Sequence, residues 1–189
     1  MTKILAFAGS ARKDSLNKKL VSFAVEKAGE HGAEVTLIDL RDFEMPLYNG
    51  DFESDQGVPE NATRLFELLK EHKGLLLACP EYNGSITAVF KNTIDWVSRP
   101  HHGESGLTAF RGKTAALLSA SPGGYGGMRG LVHVRSILTG IGVLVLPSQV
   151  AVPNAHEIFD ASGMLTDEKI AKRVDALSAE LVATTSKLS

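Results

Sequence analysis

Apolar and polar positions alternate along this chain with two different periods, and the switches between them outline a fold. Short apolar runs, the pattern of strands covered on both faces, occur at "KILAFA" (3–8), "GLLLAC" (74–79), "KTAALLSA" (113–120) and "GVLVLP" (142–147). "EVTLIDL" (34–40) adds another strand. Between them, apolar residues recur at helical spacing: Leu16, Leu20, Phe23, Ala24 and Ala28, then Ala62, Leu65, Leu68 and Leu69, then Ile86, Val89, Phe90, Ile94 and Val97. Each set predicts a helix with one buried face. Gly29 and Gly32 offer a stop for the first of them. Further helices are expected over 128–141 and from near Thr166, where Asp167 and Glu168 complement the positive helix end and Ile170, Val174, Leu177 and Leu181 share a face. Residues 41–59, rich in Asp, Gly, Pro and Asn, read as one long loop, and loops of that length are often functional or mobile.

Strand and helix alternating from end to end imply a parallel sheet wrapped on both sides, with right-handed crossovers. The expectation is a single α/β domain over 1–189. It is a three-layer, flavodoxin-like fold whose five-stranded parallel sheet has the order 2-1-3-4-5, since the strands are too few for the six-stranded dinucleotide fold. No internal repeat or domain boundary interrupts it.

Composition narrows the function. With 20 basic against 22 acidic residues the net charge is −2, which lacks the basic footprint of a nucleic-acid partner. No stretch reaches the roughly 18 apolar residues of a membrane span, and the first apolar run is too short for a signal peptide. A single cysteine, Cys79, excludes an internal disulfide and suits a cytoplasmic setting. Cys79 reads as a small core residue. Trp96 reads as packing, in the core or between subunits. The histidines lack the spacing of metal ligands, and His101-His102 read as a solvated loop, so no metal is expected. No G-x-S-x-G elbow supports a hydrolase. Asp39 ends the second strand as a ribose-binding acid would, without the glycine fingerprint that normally accompanies one.

In open α/β sheets ligands bind beyond the carboxyl ends of the strands, at the switch point. There the fold gathers "GSARKDSLN" (9–17), "PEYNGS" (80–85) and "SPGGYGG" (121–127). The first opens a helix, whose free amides and dipole favour an anion. Ser10, Ser15 and Asn17 could add hydrogen bonds and Arg12 a bidentate contact to a phosphate; alternatively Ser15 is a plain N-cap and Arg12 a solvated charge. The segment is neither G-x-G-x-x-G nor a P-loop. In the second, Asn83-Gly84 favours a tight turn with Ser85 as N-cap; its amides could face a flat ring with Tyr82 at the edge, or the segment is a plain connection with Tyr82 packing on the surface. The third has five glycines between residues 123 and 130, which would allow close approach to a ring or simple flexibility.

Taken together, "GSARKDSLN", "PEYNGS" followed by "KNTIDW", and the Ser-Gly loop after the fourth strand resemble the NAD(P)H-dependent FMN reductase family of quinone, azo-dye and chromate reductases. The resemblance implies that Ser10, Arg12, Ser15, Leu16 and Asn17 hold the FMN phosphate. It implies that Pro80, Glu81, Tyr82, Asn83 and Gly84 hold the isoalloxazine, largely through backbone, with Ser119, Ser121, Gly123 and Gly124 on the other side. It implies that NADPH or NADH is the electron donor and that hydride passes by ping-pong kinetics through FMN to quinones, azo compounds or oxyanions. No catalytic side chain is required, because the flavin carries the chemistry. A homodimer or homotetramer is implied as well. A flavodoxin-like FMN electron carrier would share the fold and is the alternative. A response-regulator domain would need acidic residues where this chain has Ala8-Gly9-Ser10.

Overall fold

A computed structural model of the chain describes residues 1–160 and 163–188. The elements are β1 (Thr2–Ala8), α1 (Leu16–Glu30), β2 (Ala33–Ile38), a 3₁₀ turn (Leu40–Phe43), α2 (Gly50–Gln56), α3 (Glu60–Glu71) and β3 (Gly74–Ala78). They continue with β4 (Glu81–Tyr82), β5 (Ser85–Ile86), α4 (Ala88–Val97), a second 3₁₀ turn (Gly106–Ala109), β6 (Thr114–Ala120), α5 (Met128–Gly140), β7 (Leu144–Val152) and α6 (Glu168–Leu188). β2, β1, β3, β6 and β7 form, in that order, a parallel five-stranded sheet. This is the expected 2-1-3-4-5 arrangement of main strands.

The central strands are buried throughout because each feeds two cores. Leu5, Phe7, Leu75, Leu77, Ala115 and Leu117 point to one face, where α3, α4 and α5 pack. Ile4, Ala6, Leu76, Ala78, Ala116 and Leu118 point to the other, against α1 and α6. The helical spacings behave accordingly: Leu20, Ala24 and Ala28 of α1 and Val174, Leu177 and Leu181 of α6 are buried. Asp167 caps α6 by accepting the Ile170 N–H at 2.9 Å. No helix among the described residues is long and apolar enough to cross a membrane.

Two expected element boundaries are corrected. The segment 41–59 is not a structureless loop. Asp39 caps the 3₁₀ turn by accepting the Arg41 amide at 3.0 Å, and Asn49 caps α2 by accepting the Asp51 amide at 2.8 Å. α2 has no buried residue, so it leaves no apolar period to read. The last strand runs on through Pro147 to Val152. Pro147 is tolerated because β7 is an edge strand and its pairing slips register opposite Ala115–Leu117.

Segment 45–53 is strapped to α4. Pro46 O accepts from Asn92 Nδ2 at 2.9 Å and Trp96 Nε1 at 2.7 Å, and Asn92 Oδ1 accepts the Tyr48 N–H at 2.8 Å. Arg99 closes the strap on Glu53 at 2.8 Å. Asn92 and Trp96 stand four residues apart on one helix face, which gives "KNTIDW" a local structural purpose. Trp96 is fully buried within its own chain, so it is a core residue and not a subunit contact. His101 is likewise not solvated. It is buried and stacks on Phe66 with ring centroids 4.3 Å apart, held by Thr63 and Val97 O. Burial pushes its pKa below the ordinary histidine value, an effect its hydrogen bonds only partly offset.

Candidate functional site

The carboxyl ends of β1, β3 and β6 bring the three candidate loops side by side. In the first, Gly9 N–H donates to Ala78 O at 2.9 Å. A Cβ at Gly9 would stand 3.1 Å from Phe90 Cβ, so glycine lets the loop lie against α4. Ser10 is buried and its Oγ accepts the Arg12 N–H at 3.2 Å. Ser15 takes an extended N-cap conformation at the start of α1, yet its hydroxyl makes no capping bond although the residue is buried. Leu16 follows it, partly buried. The guanidinium of Arg12 is exposed and carries no ion pair among the described residues. Asn17 is directed elsewhere: Nδ2 donates to Ala120 O at 2.8 Å and Oδ1 accepts the Ala120 N–H at 3.0 Å.

The second loop is a small antiparallel hairpin, β4–β5. Asn83 and Gly84 both have positive φ, 52° and 79°, the signature of a two-residue Asn-Gly turn. Nothing lies within 4 Å of where a Gly84 Cβ would be, so this turn faces open space. Tyr82 is half exposed beside it and Pro80 is buried. Ser85 belongs to β5 and meets His133 Nδ1 at 2.8 Å, so the expected N-cap is displaced to Thr87. The Thr87 hydroxyl accepts the Phe90 amide at 3.3 Å and donates to Gly9 O at 2.6 Å. Glu81 turns its carboxylate to the start of α5, accepting from Arg129 Nε at 2.8 Å and Gly130 N–H at 3.0 Å. Burial pushes the Glu81 pKa up, but these donors outweigh it and hold the carboxyl below the ordinary range.

The third loop divides. Ser121 Oγ accepts the Gly123 amide at 3.0 Å, and a Cβ at Gly124 would meet nothing within 4 Å. Gly126 and Gly127 have positive φ, and their Cβ atoms would stand 2.6 Å from the Val152 backbone and 1.9 Å from Ser119 Oγ. These two glycines serve the chain's own close packing. Ser119 is consequently covered, its hydroxyl buried without a partner beneath Gly127. Cys79 is buried, and burial pushes its thiol pKa well up, as suits a core residue. Asp39 is engaged with Lys18 at 2.7 Å and Arg41 at 2.9 Å. A cavity of about 500 Å³ opens beside Ala11, between Leu40, Met45 and Val89; no motif pointed to it, because its walls come from segments far apart in sequence.

Chemically, the first loop presents a helix N-terminus, a serine hydroxyl that makes no capping bond and a guanidinium without an ion pair among the described residues, the donor set of a phosphomonoester site. Residues 2–157 match the NADPH-dependent FMN reductases as a family. The chain belongs to that family. This FMN reductase is 37% identical over 168 residues to an NAD(P)H-dependent FMN reductase of Pseudomonas aeruginosa, covering 88% of this chain and 86% of that protein. It is 34% identical over 191 residues to an NAD(P)H:quinone oxidoreductase of Solanum tuberosum, covering 98% and 94%. Among solved structures, the flavoenzyme NAD(P)H:(acceptor) oxidoreductase of Paracoccus denitrificans superposes with a TM-score of 0.82 at 30% identity, covering 99% and 98% of the two chains. The protein is therefore an FMN-dependent NAD(P)H oxidoreductase, and the electron-carrier alternative is set aside.

Proposed function

We propose that the three loops form one FMN site through which the reductase passes electrons from NAD(P)H to quinones by a ping-pong route. The observation that carries this reading is the Ser15 hydroxyl at the start of α1, which makes no capping bond although the residue is largely buried, beside the exposed guanidinium of Arg12, which has no ion pair among the described residues. FMN held there would supply the two-electron redox chemistry between the nicotinamide and the acceptor. Ser10, Ser15, Arg12 and the first-turn amides of Leu16 and Asn17 neutralise and orient the phosphate. The Asn83-Gly84 turn, with Pro80 and Tyr82, supports the ring through backbone, and Ser121, Gly123 and Gly124 border it without bulk. Ser119 acts from beneath Gly127, supporting the loop. The expected test is direct: apoprotein binds FMN more tightly than riboflavin in a fluorescence titration. Equal affinity would remove the phosphate assignment.

The openness above Gly84 and Gly124 supports a single access shared by donor and acceptor. Each must leave before the other enters, so double-reciprocal plots for NAD(P)H and a quinone should be parallel; intersecting lines would contradict the shared access. Few directional side chains select the acceptor, so azo compounds and oxyanions such as chromate should be reduced as well, at lower kcat/KM. The assembly expected is a homodimer or homotetramer joined through the outer face of α5. Met128 and Val132 are exposed there, with Tyr82 and Tyr125 at the rim of the site, and exposed apolar groups gathered in this way mark an interaction surface. Sedimentation at micromolar concentration should show no monomer; a monomer would remove this claim.

A further inference from the structure

Three buried side chains tie the candidate loops to one another in a closed ring. Asn17 spends both amide atoms on the backbone of Ala120, joining the first loop to the end of β6 where the third begins. Thr87 donates to Gly9 O at 2.6 Å, joining the second loop's helix to the first loop. Glu81 accepts the Gly130 amide at 3.0 Å and two bonds from the Arg129 side chain, joining the hairpin to the helix that ends the third loop. Each tie runs from a side chain to distant backbone, and the Glu81 tie adds bonds from the Arg129 side chain. Asn17 and Thr87 are 3% and 2% exposed, and the Glu81 side chain is 8% exposed.

We infer that the side chains of Asn17, Thr87 and Glu81 are positioning groups that preset the FMN cradle in the protein without its cofactor, acting through the backbone they hold and not through side-chain contact with FMN. The inference rests on the proposed site. Its physical basis is that a buried hydrogen bond whose partner cannot reach water is costly to break. The first turn of α1 cannot drift from β6 while Asn17 holds Ala120. The Asn83-Gly84 turn cannot drift from Gly9 while Thr87 holds its carbonyl. A cradle fixed in this way spares the ligand the entropy of ordering the loops on binding. The ring has a consequence that independent contacts would lack: opening it at any one point loosens all three loops, so a second break costs less than the first.

The test uses the full chain. FMN is titrated into apoprotein by flavin fluorescence, and amide hydrogen exchange is followed over residues 9–17 without FMN. Thr87→Val should raise the FMN Kd about tenfold, the size of one lost buried hydrogen bond, and Thr87→Ser should restore it. Exchange over 9–17 should quicken in Thr87→Val although none of those residues is altered. The double variant Thr87→Val/Asn17→Ala should fall well short of the roughly hundredfold loss that independent sites would give. If Thr87→Val does not fold, Asn17→Asp, which keeps the acceptor for the Ala120 amide and loses the donor to its carbonyl, carries the same comparison. Wild-type affinity together with wild-type exchange in a folded variant would overturn the inference, as would losses that multiply. Failure of the wild type to bind FMN would overturn the proposed function instead, and the exchange measurement would still decide whether the ring exists.

Discussion

Replacing Trp96 by alanine should cost about 3–5 kcal/mol of folding stability, the range for emptying a buried tryptophan site. For a chain of 189 residues that corresponds to a fall in Tm of roughly 6–20 °C, a large part of the 5–15 kcal/mol that typically separates folded from unfolded. The magnitude follows from what the ring touches. Trp96 is wholly buried, and Tyr48 and Phe52 meet it edge-on with centroids at 5.0 and 6.0 Å. Its indole N–H is one of two donors to Pro46 O, the other being Asn92. Trp96→Phe should therefore cost only about 1–2 kcal/mol, because the carbonyl keeps a partner and most of the volume remains. Thermal unfolding of both variants checks the order. Limited proteolysis should show segment 45–56 cut faster in Trp96→Ala, since the strap loses its central anchor. An unchanged Tm accompanied by a change in oligomeric state would return Trp96 to the subunit boundary, against its burial within one chain.

Trp96 also shows where sequence reading reaches and where it stops. Its place among Val89, Phe90, Ile94 and Val97 marks it as packing, but periodicity cannot say whether the partner surface belongs to the same chain. That partner is the strap at 45–53, and its helix α2 buries nothing, so no apolar pattern announces it. The sheet was legible for the opposite reason. β3 and β6 are buried on both faces, and unbroken apolar runs between turn residues have few other readings. Within the site, the motif positions were legible and the direction of the side chains was not. "GSARKDSLN" places Asn17 beside Ser15, yet nothing local says that Asn17 reaches Ala120, 103 residues away. "PEYNGS" signals its turn through Asn83-Gly84, while the carboxylate of Glu81 answers to Arg129 and Gly130 on a later helix. The glycines after Ser121 were read as room for a ring or as flexibility. Gly126 and Gly127 turn out to make room for Val152 and Ser119, a demand of packing that composition does not distinguish from one of binding.

Arg12 offers the sharpest separation of binding from folding. Arg12→Ala should weaken FMN binding by about 1.5–3 kcal/mol, the range for hydrogen bonds to charged groups, which is a rise in Kd of about 10- to 150-fold. Stability should stay within about 0.5 kcal/mol of wild type, as for surface substitutions that touch no buried feature, because Arg12 is exposed and without an ion pair among the described residues. Riboflavin supplies the internal control. It lacks the phosphate, so its affinity should be the same in wild type and variant, and the loss should appear for FMN alone. Arg12→Lys should recover part of the affinity, since the ammonium restores charge but not the bidentate geometry of a guanidinium on phosphate oxygens. Added salt should narrow the gap between wild type and Arg12→Ala, because this contact lies at the surface, where screening acts within about 8–10 Å. The α1 amides, being fixed by the backbone, should keep their salt-insensitive share. An FMN affinity unchanged by Arg12→Ala would leave Arg12 a solvated charge and move the burden of phosphate binding onto the helix terminus and the serines. A loss shared equally by riboflavin would place Arg12 against the ring or ribityl chain instead.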